Sequence, residues 1–282
     1  MTTPYGSWPS PLTAAAVSAA SPRIEGARLV GDDVWWGEGV PEEAGRTTVR
    51  RRTASGGVED LLPAPWSARS SVHEYGGGSW TATDDGALVF VEKTDQRVRL
   101  LRPGGELLAL TPPGDVDVRF GGLTVQSGRL LAVREAHGAG PTPARDIVEI
   151  PLDGSAGDDA AAIVSLAGGT DFVAHPALSP DGTHLAWVAW NHPDMPWDRA
   201  QLRVSALDGG AATVFDEGAS PLQPVWLGDD ELLYADDPTG RWNLYRRRLG
   251  TAPSPVAPVD ADTGGGIWVL GTRWFAPVDG GR

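Results

Sequence analysis

A two-residue turn signal recurs along this chain at intervals near fifty residues, and no other feature limits its possible folds as strongly. Asp85-Gly86, Ser127-Gly128, Asp181-Gly182 and Asp229-Asp230 each stand just before an apolar run, at 88–91, 130–133, 185–188 and 231–234. The gaps from Gly86 to Gly128, Gly182, Asp230 and Gly280 are 42, 54, 48 and 50 residues. Asp-Gly between apolar runs marks a β-hairpin, because glycine takes the positive φ that the tight turn demands. A β period of this size predicts propeller blades of four antiparallel strands. A parallel solenoid would repeat at shorter and stricter intervals.

Within each unit the order is constant. An apolar run, the turn and a second apolar run come first. A longer loop then leads to a third strand (97–101, 146–150, 201–206 and 242–247), and a Gly-rich turn and a last strand close the unit, as in 211–215. The expected fold is all-β: a β-propeller of four-stranded blades, five complete and a sixth truncated. The blades are expected at 27–66, 71–114, 118–169, 171–218 and 220–262, with a partial unit at 264–282. That last unit is expected to supply strands at 267–270 and 272–276 and a turn at Asp279-Gly280-Gly281, so the chain reads as cut inside a repeat. Residues 1–26 are expected to form an arm with a short Ala-rich helix over 11–21 behind a Ser10 cap. The chain holds 12 Trp against 5 Phe. Trp35, Trp36, Trp80, Trp187, Trp226, Trp268 and Trp274 fall in strand runs, where bulky rings are expected to fill the wedges between blades.

Composition narrows the chemistry. With no cysteine, thiolate metal sites, iron–sulfur clusters and thiol nucleophiles are excluded. A net charge of −14 and a single lysine, Lys93, argue against nucleic acid, which is held by clustered Lys and Arg. No run of about 20 apolar residues is present to span a membrane, and no basic, then apolar, leader opens the chain. A cytoplasmic protein is the expectation.

Four stretches carry a resemblance. They are Pro4-Tyr5-Gly6-Ser7-Trp8-Pro9-Ser10-Pro11-Leu12-Thr13, Val72-His73-Glu74-Tyr75-Gly76-Gly77-Gly78, Leu178-Ser179-Pro180-Asp181-Gly182, and the run from Ala186 through Asn191-His192-Pro193-Asp194-Met195-Pro196-Trp197-Asp198. Together they resemble the N-terminal half of bacterial peptidases of the prolyl oligopeptidase family, in the dipeptidyl aminopeptidase/acylaminoacyl peptidase branch. The Ser-Pro-Asp-Gly turn is shared with TolB-like propellers; the second and fourth stretches are more specific. The resemblance implies a propeller that restricts access to peptide substrates, followed by an α/β-hydrolase domain bearing a Ser-Asp-His triad, with no cofactor. The chain departs from that pattern in that the hydrolase domain is not in it.

The residues themselves agree that this chain carries no catalytic machinery. Gly-x-Ser-x-Gly, which exposes a nucleophile on a strained strand-to-helix turn, is absent. Asp153-Gly154-Ser155-Ala156-Gly157 misses it by one place, in a polar loop. The five histidines show no triad spacing, no His-x-x-x-His or calcium-loop pattern occurs, and acidic pairs such as Asp236-Asp237 read as turns. No catalytic residue, metal or cofactor is expected.

Two stretches are singled out as substrate-binding candidates. Glu74, with Tyr75 beside it, opens blade two on what is expected to be an inner strand near the channel, where a carboxylate can accept a substrate's α-amino group. The alternative is that the three glycines relieve crowding at the axis while Glu74 pairs with an arginine of a neighbouring blade. Asn191, Asp194 and Trp197 belong to a proline-stiffened loop in blade four, expected to line the substrate cavity or a domain interface; the alternative is a self-packed loop. The expected function is the substrate-gating propeller portion of a serine peptidase that cleaves short peptides. The competing reading is a stand-alone TolB-like propeller mediating protein–protein interaction. A sugar- or lactone-processing propeller with a central metal ranks last, because the inner strands offer mainly Trp, Val and Ala.

Overall fold

The structure is a computed structural model and describes residues 3–18, 22–114, 117–215 and 219–278. Five four-stranded antiparallel sheets follow one another along the chain. The first holds β1 (Ile24–Val30), β2 (Asp33–Val40), β3 (Arg46–Arg52) and β4 (Val58–Asp60), and the second β5 (Trp80–Ala82), β6 (Leu88–Val91), β7 (Val98–Leu101) and β8 (Leu107–Ala109). The third holds β9 (Val118–Gln126), β10 (Arg129–Ala136), β11 (Ala144–Ile150) and β12 (Val164–Gly168). The fourth holds β13 (Phe172–Leu178), β14 (His184–Trp190), β15 (Gln201–Ala206) and β16 (Thr213–Phe215), and the fifth β17 (Leu222–Trp226), β18 (Glu231–Asp236), β19 (Asn243–Arg248) and β20 (Ser254–Pro255). Each hairpin turn picked out above joins the first and second strands of its sheet. No helix among the described residues is long and apolar enough to cross a membrane.

The core lies between blades. Trp35, Leu62, Trp80 and Phe90, at most 3% exposed, fill the wedge between blades one and two. Val89, Val98, Leu130 and Ile150 do the same between blades two and three, and Ala186, Leu202, Leu232 and Tyr234 between blades four and five. Burying each of the larger of these side chains contributes about 1.5–3 kcal/mol. Trp80 shows how tightly blades approach: a Cβ on Gly37 would lie 2.9 Å from its indole nitrogen.

A second repeat runs beside the turns. A residue in the left-handed region recurs at Gly26, Gly78, Gly122, His175, Gln223 and Gly271, spaced 52, 44, 53, 48 and 48 apart. In β1, β9, β13 and β17 the register of pairing slips at this residue, as a β-bulge bends the inner strand. The sixth member, Gly271, belongs to the last unit.

Several expectations need correction. β1 begins at Ile24, so the arm is shorter than expected, and Gly26 is the bulge inside the strand. The helix covers only Ala14–Ser18, and Thr13 caps it, its Oγ1 accepting from the Ala16 N–H at 3.0 Å. The strands expected at 267–270 and 272–276 are not formed, and no sheet is built from residues 264–278 among the described residues. This segment instead crosses to blade two: Leu270 bridges Gly77 and its N–H donates to Gly76 O at 3.0 Å. Gln223 ties the same segment to blade five, through Phe275 O and the Trp274 N–H, each at 2.7 Å. The Asp279-Gly280-Gly281 turn lies outside the described residues.

Candidate functional site

Strand direction alternates through each blade, so the loops joining one blade to the next and the loops between second and third strands emerge at the same end of the ring. The first class carries His73-Glu74-Tyr75; the second carries Asn191 to Asp198. The fold therefore gathers both singled-out stretches at one end.

The turn before β5 is shaped by its neighbours. His73 and Glu74 are both left-handed, at φ 54° and 63°. A Cβ on Gly76 would meet Ser70 O at 2.2 Å, on Gly77 Leu270 O at 2.3 Å, and on Gly78 the Gly122 Cα at 2.5 Å. Backbone thus packs directly on backbone, and the three glycines answer that crowding. Glu74 stands on this turn, not on the inner strand, which starts only at Trp80. Its side chain is 73% exposed, and Oε1 accepts from Arg119 Nη1 of blade three at 2.6 Å.

From Glu74 a chain of charges runs across three blades. Arg119 also bonds Asp117 at 2.7 Å, and Asp117 first, then Glu74, hold its guanidinium above the usual range. It approaches Glu135 at 3.6 Å. Glu135, 1% exposed, accepts from Arg145 Nε at 2.6 Å, His137 Nε2 at 2.8 Å and the His73 N–H at 3.2 Å. Burial pushes this carboxyl up, but His137 and Arg145 outweigh it and its pKa is lowered. Arg145 lies 4.3 Å over the Phe172 ring and donates to Asp171 O at 2.9 Å. Asp171 in turn holds the other loop: its N–H donates to Asn191 Oδ1 at 2.8 Å, and its carboxylate accepts from the His192 N–H at 2.9 Å. His73 packs edge-on to Phe172, and burial followed by the charge of Arg145 lowers its pKa to about 4.

Beside this network lies an aromatic cluster. Trp268 meets Tyr75 at 6.4 Å and Trp197 at 4.4 Å between ring centroids. Tyr75 and Trp268 are 68% and 61% exposed, so Trp268 does not fill a wedge as expected but faces outward. Of the predicted site residues, Glu74, Tyr75, Asn191 and Trp197 are brought together through these contacts. Asp194 is half-buried and its backbone closes the loop turn; its carboxylate makes no hydrogen bond among the described residues. Arg119, Glu135, Arg145, Asp171 and Trp268 were missed. On the sequence they read as ordinary polar or apolar strand and loop positions, and no local signal sets them apart.

Ligand atoms of Glu74, Glu135 and His137 lie within 4.8 Å of one another, a spacing that suits a cation. The guanidiniums of Arg119 and Arg145 already supply that positive charge, so these residues do not fit a metal. Thr183 Oγ1 meets His184 Nδ1 at 2.8 Å in a hairpin turn, but Asp181 holds the hydroxyl and not the imidazole, so the order of a catalytic triad is lacking. What remains open is a solvent-facing carboxylate next to exposed aromatic rings.

Comparison with known proteins places this geometry. The family described as Lipoprotein LpqB beta-propeller domain matches residues 152–272. A puromycin-hydrolyzing peptidase of Mycobacterium tuberculosis superposes with a TM-score of 0.89 and 39% identity, over 99% of this chain and 46% of that one. A puromycin hydrolase superposes with a TM-score of 0.86 and 37% identity, over 98% and 45%. TolB from Acinetobacter baumannii shares the fold alone, at 14% identity and a TM-score of 0.51 over 80% of this chain and 52% of that one. No curated protein matches the sequence. The chain spans less than half the length of the two peptidases. With more than a third of its residues identical over nearly its whole length, this chain belongs to the prolyl oligopeptidase family as an N-terminal propeller.

Proposed function

We propose that this propeller gates and helps to bind short substrates with a free amino end, for cleavage by a serine hydrolase domain that packs on the end of the ring bearing Glu74. The observation that carries this reading is the Glu74 carboxylate itself. It is exposed and fixed by Arg119 on one oxygen only, and its chain neighbour Tyr75 meets Trp268, which in turn meets Trp197. A free ammonium would add a charge-assisted hydrogen bond to the second oxygen, and a neighbouring aromatic side chain would stack on the rings. Puromycin, which the two related peptidases hydrolyse by name, offers both groups. It is an amide of an aromatic amino acid whose α-amino group is free.

Calorimetric titration of the protein with puromycin and with N-acetylpuromycin tests the reading. Puromycin should bind about tenfold or more tightly than its acetylated form, and Glu74→Gln should remove the difference. Equal binding of the two compounds to the unaltered protein would refute it.

A further inference from the structure

The groups that hold Glu74 belong to blades two and three, each a complete four-stranded sheet. Arg119 lies on β9 directly opposite Glu135 of β10, and Glu135 lies opposite Arg145 of β11. Three residues of alternating charge thus stand in a row across one sheet, where the strand ladder fixes each backbone. The arginine at the inner end of that row reaches over the blade boundary to Glu74, which sits on an exposed turn.

A guanidinium is an odd companion for a carboxylate that is to receive an ammonium, since the two cations compete for one charge. The pairing pattern resolves the conflict. Asp117 takes Arg119 in a two-point contact, from Nε at 3.0 Å and Nη2 at 2.7 Å. That bond, before any other cause, holds the Asp117 carboxyl below its usual range. Glu135 takes Arg145 at 2.6 Å and also stands 3.6 Å from Arg119. Two guanidiniums are matched by two carboxylates, and the charge of the third, Glu74, stays available to a ligand.

What Arg119 gives Glu74 is geometry. Its Nη1 donates to Ser71 O at 3.1 Å as well as to Glu74 Oε1 at 2.6 Å, and the Glu74 N–H donates to the same Ser71 O at 3.1 Å. These three hydrogen bonds close a ring that holds the carboxylate over its own turn. Without them, a glutamate side chain 73% exposed would move among rotamers and lose that freedom on binding. We propose that Arg119 is a positioning residue for amine recognition: it holds one oxygen of Glu74 so that the other is presented in a fixed place. This rests on the Glu74 reading above and adds the residue on which its selectivity depends.

Two variants separate geometry from charge. Arg119→Lys keeps the charge and loses the planar grip; Arg119→Gln removes the charge. Puromycin and N-acetylpuromycin are titrated calorimetrically into the protein and into both variants, whose folding is checked by urea unfolding. Positioning predicts that puromycin binds roughly two- to tenfold more weakly to both variants, while N-acetylpuromycin, which lacks the ammonium, binds as before. A charge effect predicts another pattern: no change in Arg119→Lys, and tighter binding of puromycin to Arg119→Gln. Either of those results would overturn the proposal, as would equal weakening of both compounds, the mark of a structural role alone. Should Arg119→Gln not fold, Arg119→Lys decides. Equal binding of the two compounds to the unaltered protein is a different result: it refutes the Glu74 reading, and this proposal with it.

Discussion

Glu135→Gln is the substitution that most directly probes how the site is held together. The carboxylate is 1% exposed and gathers three N–H donors, from His73, His137 and Arg145, on two oxygens. Glutamine has the same shape but one acceptor oxygen, and its NH2 group would face a donor. The change also leaves Arg145, 9% exposed, without a countercharge. Removing one partner of a buried ion pair costs about 3–5 kcal/mol. The lower end applies here, because Arg145 keeps Asp171 O and the Phe172 face, while Arg119 keeps Glu74 and Asp117. In a chain of this size that corresponds to a fall in Tm of roughly 6–12 °C. Urea unfolding followed by tryptophan fluorescence measures the loss. A cycle with Arg145→Gln measures the coupling, and the double variant should be less destabilised than the two single losses added together. A loss below about 1 kcal/mol for Glu135→Gln, or strict additivity in the cycle, would show that the network does not hold the three blades in register.

Two further outcomes follow from the same geometry. His73 and His175 both have pKa values lowered to about 4, chiefly by burial, so the unfolded chain binds protons at these positions that the folded chain does not. Stability is then fully present above pH 6.5 and should fall between pH 6.5 and 4, less steeply in His73→Gln; urea midpoints that stay level from pH 7 to 4.5 would contradict this. Gly77→Ala should cost more than Gly86→Ala, by about 1–3 kcal/mol, since both residues have positive φ but only Gly77 would press a Cβ against Leu270 O at 2.3 Å, while Gly86 faces open space. Equal urea midpoints for the two variants would remove the close approach as a cause.

The hairpin turns made the blades legible. Asp-Gly at a fixed place between apolar runs states a local geometry that any context must respect, and in blades two to five every second and third strand expected from it is present. The bulge repeat was invisible, although it is as regular in space. Its six members are four glycines, one histidine and one glutamine, because what the position demands is a backbone angle, and side chains that find a partner can meet that demand too. Gln223 meets it while bonding Phe275 O and the Trp274 N–H.

The site divides along the same line. Glu74, Tyr75, Asn191 and Trp197 belong to short stretches whose glycines and prolines make them conspicuous in the chain itself. Their meeting depends on Arg119, Glu135, Arg145 and Asp171, which lie in other blades, up to nearly 100 residues away from Glu74 along the chain. Local order, strand count and the identity of the exposed carboxylate are short-range properties, set by turn chemistry and alternation. Which charges pair and which rings face solvent are decided only when the ring brings distant strands within a few ångströms, because electrostatic and packing energies depend on separation in space and not on separation along the chain.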